Sequence, residues 1–191
     1  MNPSQNPRSI RSKNEITDSL LQLMKSYPYN EITVKQIILE SQVARKTFYR
    51  NFHSKDDVLD AYIDSIMYQF MESLQQTSIC QLSNILDEIF KFCMRNQALL
   101  FQLRNNALMH LLLNKWNYFI PIMYKKMVNP DHLLFQTFTP QQIDYIIAFN
   151  IGAIWNVITE WIKQDMNTSS ETVKNTLLEY LMNLPSYTLF T

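Results

Sequence analysis

The chain of 191 residues is 47% hydrophobic and contains one glycine, Gly152, and seven prolines. That content is ample for a buried core, and the scarcity of glycine argues for helices and against a sheet-rich fold with many tight turns. The net charge is zero, yet residues 1–55 hold nine Lys and Arg against four Asp and Glu, and the rest hold eight against thirteen, so a basic part suited to nucleic acid precedes an acidic body.

The cysteine and histidine content argues against a metal site. Cys80 and Cys93 show no metal-ligand spacing with each other or with His53, His110 and His132. We therefore expect no metal and no cofactor, and we interpret both cysteines as reduced packing residues.

Two patterns bear on where the protein acts. Residues 1–15 are polar and charged and lack the apolar run of a signal peptide. The longest apolar stretch, residues 146–158, is interrupted by Asn150 and Asn156 and is shorter than the ~20 residues that a membrane span requires. We therefore expect a cytoplasmic protein without a membrane partner.

A polar segment, residues 1–8, precedes the first predicted helix over residues 9–27. Arg8 and Arg11 could enter a minor groove or contact a phosphate, and a disordered tail explains the composition of the segment equally well. Apolar residues recur at helical spacing along the helix, and Pro28 ends it.

Residues 33–55, TVKQIILESQVARKTFYRNFHSK, predict two short helices joined by a tight turn. Thr33 can cap the first helix while Gln36 reaches back in a capping box. In the second helix, Phe48 and Phe52 are four residues apart and share one face. The basic and hydroxyl side chains of that helix therefore fall on other faces.

These basic and hydroxyl side chains have the chemistry of a DNA reader. Arg45, Lys46 and the threonine after them are predicted to reach base edges in a major groove. Tyr49, His53 and Lys55 are predicted to hold phosphates, Lys55 from the first turn of the next helix. The alternative is an ordinary solvated helix. The predicted DNA-binding residues are Thr33, Arg45, Lys46, Thr47, Tyr49, Arg50, His53 and Lys55.

The stretch carries a signature made of Thr33, Val43, Thr47, Phe48, Tyr49, Phe52 and Lys55. In order and spacing it resembles the DNA-binding domain of the tetracycline-repressor (TetR) family of bacterial transcriptional regulators, strongly over residues 9–66. Two positions depart from the family pattern, because Gln42 stands where glycine is usual and Ala44 where a serine caps the recognition helix. A left-handed Gln42 and the missing cap would each cost about 1 kcal/mol.

The pattern and the resemblance together predict an all-α fold of about nine helices. Residues 1–55 would form an N-terminal three-helix helix-turn-helix DNA-binding domain, and residues 56–191 a C-terminal helical ligand-binding and dimerisation domain. Ser54 and Asp57 predict the start of a fourth helix, which would connect the two domains over on the order of 30 Å and reach about Gln75.

Further helices are predicted in the C-terminal domain from hydrophobic periodicity and capping residues. Capping boxes from Thr139 to Gln142 and from Thr168 to Glu171 predict where the last two begin. The predicted spans are residues 82–96, 98–105, 107–127, 140–164 and 170–184.

The C-terminal domain is rich in aromatic and methionine side chains. Each of them can be explained by core packing, and the alternative is that a subset lines an apolar cavity for a small molecule, oriented by a few polar groups. The TetR resemblance implies a pocket in this domain without identifying its residues. The predicted pocket comprises Met94, Phe101, His110, Trp116, Phe119, Phe149, Asn150 and Trp155.

The last two helices carry more apolar residues than one inward face requires. In the TetR family this helix pair packs against its twin, and a two-fold dimer would place two recognition helices about 34–36 Å apart for a palindromic operator. Gly152 would let helices approach closely there, or would accommodate packing inside one subunit. The predicted interface comprises Ile147, Ile151, Gly152, Ile154, Ile158, Leu177 and Leu181.

These patterns favour a homodimeric repressor that binds a palindromic operator in double-stranded DNA and is released or modulated by a small-molecule effector. Catalysis is not expected, since no nucleophile with a base, phosphate loop or metal cluster is visible. Two alternatives stay open. One is a partner-dependent co-activator with a degenerate DNA-binding head, which the departures at Gln42 and Ala44 would suit, and the other is a helical small-molecule-binding protein.

Overall fold

The computed structural model describes residues 7–77, 82–127 and 136–183. Nine α-helices and one short 3-10 helix lie within these ranges, which contain no strand, so the predicted all-α fold is confirmed. The helices are α1 (Pro7–Ser26), η1 (Tyr29–Glu31), α2 (Val34–Ser41), α3 (Arg45–Asn51), α4 (Lys55–Gln75), α5 (Leu82–Arg95), α6 (Gln97–Asn105), α7 (Met109–Met127), α8 (Pro140–Lys163) and α9 (Ser170–Met182).

Hydrogen-bonding caps set three of the helix starts as predicted. At the start of α2, the Thr33 hydroxyl accepts from the Gln36 backbone N–H at 3.2 Å, and Gln36 Oε1 accepts from the Thr33 backbone N–H at 2.8 Å. The same reciprocal box joins Thr139 and Gln142 at α8. Ser54 caps α4. These local bonds satisfy donors that a helix N-terminus otherwise leaves unpaired.

The first and last helices begin differently from the prediction. α1 already includes Pro7 and Arg8, so the predicted polar segment is shorter, and residues 1–6 lie outside the described residues. The predicted box at the start of α9 is wrong, because Ser169 is the N-cap and its hydroxyl accepts from the Thr172 backbone N–H at 3.1 Å. The Thr168 carbonyl instead accepts from the indole of a buried tryptophan.

The hydrophobic core continues from α1 into the turn after α8, and α4 runs through it. Near the start of α4, Asp56 Oδ1 accepts from the Tyr29 hydroxyl at 2.6 Å, and both this bond and burial raise the pKa of Tyr29. Near its end, Phe70 packs on Phe92 of α5 with ring centroids 4.9 Å apart. α4 therefore connects the head, here α1 to α3, with the body, α5 to α9.

The N-terminal half of α8 packs separately on α7. Ile143, Ile147 and Ile151 are buried against a cluster that includes Leu113 and Ile120 of α7. Within the described ranges, α8 is the one helix long and apolar enough to cross a membrane by length and composition, a test that core helices also pass. With 24 residues, the helix is longer than the apolar stretch identified in the sequence.

Candidate functional site

The turn between α2 and α3 contains Gln42 and Ala44, the two residues that depart from the family pattern. Gln42 ends α2 in the left-handed region with φ 54° and ψ 20°. Ala44, the N-cap of α3, makes no side-chain cap hydrogen bond. The left-handed backbone at Gln42 and the missing cap at Ala44 are therefore both present as expected, and α3 still forms.

α3 separates a buried face from an exposed one. Phe48 is fully buried and Phe52 nearly so, and their ring centroids lie 6.2 Å apart. Thr47 is half-buried beside them. The remaining predicted contact residues of this helix are exposed: Arg45, Lys46, Tyr49 and Arg50.

Two contacts organise this exposed surface. The Arg45 guanidinium lies over the Tyr49 ring at 5.4 Å from its centroid, a cation–π distance. At the other end of α3, Asn51 Oδ1 accepts from the Ser9 hydroxyl at 3.0 Å, while Asn51 Nδ2 donates to the Thr47 carbonyl at 2.8 Å. Sequence reasoning missed the bridge between Ser9 and Asn51, because its partners are 42 residues apart.

Thr33 and His53 lie at the exposed rim of the head. The Thr33 hydroxyl is engaged in its capping box with Gln36. The His53 side chain is exposed, and its backbone N–H donates to Asp57 Oδ2 at 2.8 Å. Both side chains therefore stand at the surface of the head, next to helix starts.

Lys55 has a structural position that its sequence context did not reveal. Its Nζ donates to the carbonyls of Tyr29 at 2.6 Å, Ile32 at 2.8 Å and Asn30 at 3.3 Å, and it lies 4.6 Å from the Tyr29 ring centroid. An ammonium has three N–H donors, and three carbonyls surround this one. A phosphate contact by Lys55 stays a prediction. A phosphate would have to compete with these three carbonyls for the N–H donors of the ammonium.

Side chains of α6 and its C-cap tie the head to the body. Gln102 Nε2 donates to the Leu21 carbonyl of α1 at 3.0 Å, and Asn106 Oδ1 accepts from the Tyr29 backbone N–H at 2.7 Å. From the same helix, the Arg104 guanidinium donates to the carbonyl of Ile162, near the end of α8. α6 therefore contacts both the head and the end of α8.

The predicted pocket residues divide into two groups. Trp116 and Trp155 are buried with ring centroids 5.8 Å apart, and Trp116 also stacks on Phe70 at 5.9 Å. The Trp116 indole N–H is buried without a hydrogen-bond partner among the described residues. Buried polar groups are nearly always paired, so this donor marks a position where an acceptor would be favourable.

The other six predicted pocket residues are less buried than these tryptophans, and only Phe101 and Phe119 among them pack against the core cluster that contains both. Phe101 and Phe119 are half-buried, and the rest are exposed: Met94, His110, Phe149 and Asn150. These four side chains lie at the surface of the described part of the chain. An open groove of 420 Å³ between α4 and α7 contains Phe119 but none of the other predicted pocket residues.

The predicted interface residues of α8 lie mostly on its inward side. Ile147, Ile151 and Ile158 are buried within their own subunit. Ile154 and Leu177 are half-buried against the same core, whereas Leu181 is 45% exposed. The three buried isoleucines are therefore core residues of the protomer.

A different side of α8 carries exposed aromatic residues that are not among the predicted interface residues, although Phe149 is among the predicted pocket residues. Tyr145 is 67% and Phe149 is 74% exposed. Gly152 follows at helical spacing, and apart from its chain neighbours and the nearby backbone of α8, no atom of the described residues lies within 4 Å of the place where a Cβ would stand. Packing inside one subunit therefore does not require this glycine.

The thiol of Cys93 is buried, and burial raises its pKa to about 12, which keeps it a neutral packing group. The described residues contain no group of three or more His, Cys, Asp or Glu side chains that could hold a metal ion. Cys80 and His132 lie outside the described residues.

Comparison with solved structures shows the same fold over most of the chain. A structure named dihydroxyacetone kinase operon activator DhaS is 20% identical, with 92% of this chain and 96% of that chain covered and a TM-score of 0.59. A TetR transcriptional regulator from Streptococcus agalactiae 2603V is 18% identical, with coverage of 92% and 94% and a TM-score of 0.62. The fatty acid degradation regulator FadR from Bacillus halodurans is 18% identical, with coverage of 93% and 95% and a TM-score of 0.57.

Comparison by sequence identifies the N-terminal part of the chain. No curated protein matches significantly. Residues 16–62 match the family model described as bacterial regulatory proteins, tetR family. This range spans most of α1, the helix-turn-helix and the start of α4, where the exposed basic residues lie. On this match and this geometry, residues 16–62 form a helix-turn-helix domain of the bacterial tetR regulatory family.

Proposed function

We propose that the protein is a homodimeric repressor that binds a palindromic operator in double-stranded DNA and is released or modulated by a small-molecule effector. The observation that carries the proposal is the exposed surface of α3, where Arg45 and Lys46 stand at the N-terminal end and Tyr49 and Arg50 follow. Donors at the N-terminal end of a helix can reach base edges in a major groove, and those further along can hold phosphates. We retain the predicted DNA-binding residues of α3 as this surface, with Thr33 and His53 at its rim, and assign Lys55 first to the three carbonyls that its ammonium meets.

The dimer is supported by the exposed apolar side of α8. Tyr145 and Phe149 would be costly to leave in water, and Gly152 leaves space beside them. Leu181 and Met182 extend exposed apolar surface onto α9. Packing of this helix pair on its twin would bury these side chains, and two heads would then face two half-sites.

The effector is supported by the partnerless indole N–H of Trp116. Its surroundings are apolar and aromatic, since Phe70, Phe92 and Trp155 all lie within ring-contact distance. An apolar molecule with one acceptor oxygen would satisfy the buried donor and pack on these rings. Such a molecule would shift the position of α4 through Phe70, and α4 sets the spacing of the heads.

Mutations of the two core tryptophans test whether this N–H is unpaired. Trp161 is equally buried, and its N–H donates to the Thr168 carbonyl at 2.8 Å. Trp161→Phe should lower the free energy of unfolding by about 1 kcal/mol more than Trp116→Phe, because only the former breaks a hydrogen bond. Urea denaturation followed by circular dichroism measures both. Equal losses would mean that the Trp116 N–H has a partner in solution.

Substitutions on α3 test the division between base and phosphate contacts. Arg45→Ala and Lys46→Ala should each reduce discrimination at particular base pairs by about 1–3 kcal/mol, whereas Tyr49→Phe should weaken binding to all sequences alike. Fluorescence anisotropy on the operator and on single-base variants measures this. Lys163→Ala, which removes a charge at the end of α8, should change neither property. If all three α3 variants lost affinity equally on every duplex, the division between base contacts and phosphate contacts would be contradicted.

A partner-dependent activator is the second candidate. The related structure DhaS is named an operon activator, and the strained Gln42 and uncapped Ala44 would suit a head that binds DNA weakly alone. A helical small-molecule-binding protein without an operator is a third reading of the same body. The named activator favours the second candidate over the third.

Selection of partly random duplexes by the purified protein, followed by anisotropy at two salt concentrations, separates these candidates. Enrichment of a palindrome with nanomolar affinity and a steep salt slope would support the dimeric operator-binding regulator. Weak, unselective binding at both salt concentrations would reject autonomous DNA recognition and favour a protein partner.

A further inference from the structure

The open groove between α4 and α7 has a charged end. Lys115 of α7 lies with its Nζ 2.8 Å from Asp60 Oδ1 and 2.9 Å from Asp64 Oδ1. The two carboxylates are one helical turn apart on α4, and both side chains remain partly exposed. One ammonium neutralises one of the two charges, so this end of the groove keeps a formal charge of −1.

The other end of the groove is aromatic. Phe119 makes edge-to-face contacts with Tyr68 at 5.2 Å and with Tyr118 at 5.1 Å, at interplanar angles of 70° and 83°. Tyr68 is 61% and Tyr118 is 63% exposed. Three rings at steep angles therefore leave ring faces open to the groove, and Tyr68 stands one turn beyond Asp64.

We propose that this groove binds an organic cation, a substituted ammonium group on a small apolar body. Ring faces attract a cation through their quadrupoles, and the excess carboxylate adds a Coulomb attraction. A volume of 420 Å³ is within the range of small-molecule sites. None of the aromatic or carboxylate residues that carry this argument, except Phe119, belongs to the predicted pocket, so the site is additional to the one at Trp116.

Other ligand classes fit the same residues less well. An anion would meet the uncompensated carboxylate, and a neutral apolar molecule would leave the charged end unused. A divalent metal ion would need several oxygen ligands, and here both carboxylates are already held by Lys115. Of these ligand classes, only an organic cation would interact favourably with both the charged end and the aromatic end of the groove.

Isothermal titration calorimetry of the full chain with benzyltrimethylammonium tests the proposal, without DNA and at low salt. Benzoate and benzyl alcohol serve as the anionic and neutral probes of similar size. Asp64→Asn should weaken cation binding about 3–10-fold and Lys115→Met should strengthen it by a similar factor, since these changes move the local charge in opposite directions. Tyr118→Leu should weaken binding to a similar extent by removing a ring face.

Asp144→Asn is the matched control, because Asp144 forms an exposed ion pair with Lys125 away from the groove. Opposite shifts in Asp64→Asn and Lys115→Met cannot both come from loss of folding. The proposal is overturned if benzoate or benzyl alcohol binds as tightly as the cation, or if Asp64→Asn and Tyr118→Leu behave like Asp144→Asn. A lysine-rich peptide that binds where benzyltrimethylammonium does not would reassign the groove to a protein segment.

Discussion

Replacement of Phe149 by glutamate is expected to convert the proposed dimer into monomers and to weaken binding to the proposed operator by at least about 100-fold. The side chain is 74% exposed in the protomer, so the change leaves the fold of the single chain intact. In a two-fold interface the new carboxylate would be buried or would face its own copy across the axis. Analytical ultracentrifugation measures the oligomeric state, and anisotropy measures the affinity for the operator.

Tyr68→Glu is the control for this experiment, since Tyr68 is comparably exposed but lies on α4. It should leave the dimer intact. Gly152→Ala provides an independent variant, because a Cβ at this position would meet no neighbouring side chain within one protomer. An unchanged dimer in both Phe149→Glu and Gly152→Ala would place the interface elsewhere.

Lys55→Met is expected to lower the free energy of unfolding by about 2–4 kcal/mol. The substitution keeps much of the apolar stem but removes the donors for the carbonyls of Tyr29, Asn30 and Ile32. A change of that size is a large share of the about 5–15 kcal/mol that stabilises a typical domain. Chemical denaturation followed by circular dichroism measures it.

The same variant decides between a structural role and a phosphate contact. Lys46→Met is the comparison, because Lys46 is exposed and no hydrogen bond to the head is found for it within the described residues. Loss of a phosphate contact should reduce the salt slope of DNA binding by about 1 and leave stability unchanged. We expect Lys46→Met to leave stability unchanged and to reduce discrimination at particular base pairs, and Lys55→Met to lower stability while leaving the salt slope unchanged. A stable Lys55→Met protein with a reduced slope would restore the phosphate assignment.

Much of the head could be predicted from the sequence because its determinants are local. The capping box of Thr33 and Gln36 acts over three residues, and the spacing of Phe48 and Phe52 defines a buried face over one turn. Gln42 has the left-handed backbone that its position required. Helix bounds further along the chain were likewise close, because caps and periodicity need no tertiary information.

The remainder depends on contacts that the sequence does not encode locally. Lys55 reaches carbonyls 23 to 26 residues away, and Asn106 meets Tyr29 across 77 residues. Along α8, apolar residues occur on nearly every side, so the pattern could not distinguish Ile147, which packs on α7 of its own chain, from Phe149, which faces outward. The same limit applies to the predicted pocket, since aromatic content alone could not distinguish the buried Trp116 and Trp155 from the exposed Phe149.

The contacts of α6 set a limit on how the head can move. Gln102 and Asn106 form hydrogen bonds to α1 and η1, and Arg104 forms one to the end of α8. The head is therefore connected to the body through α6 as well as through α4. A tilt of α4 alone would break the two amide hydrogen bonds, at a cost on the order of 1–3 kcal/mol. That threshold is comparable to the coupling free energy of a typical effector. In the proposed dimer it would favour one spacing of the heads, and the proposed effector would have to supply a comparable free energy to change that spacing.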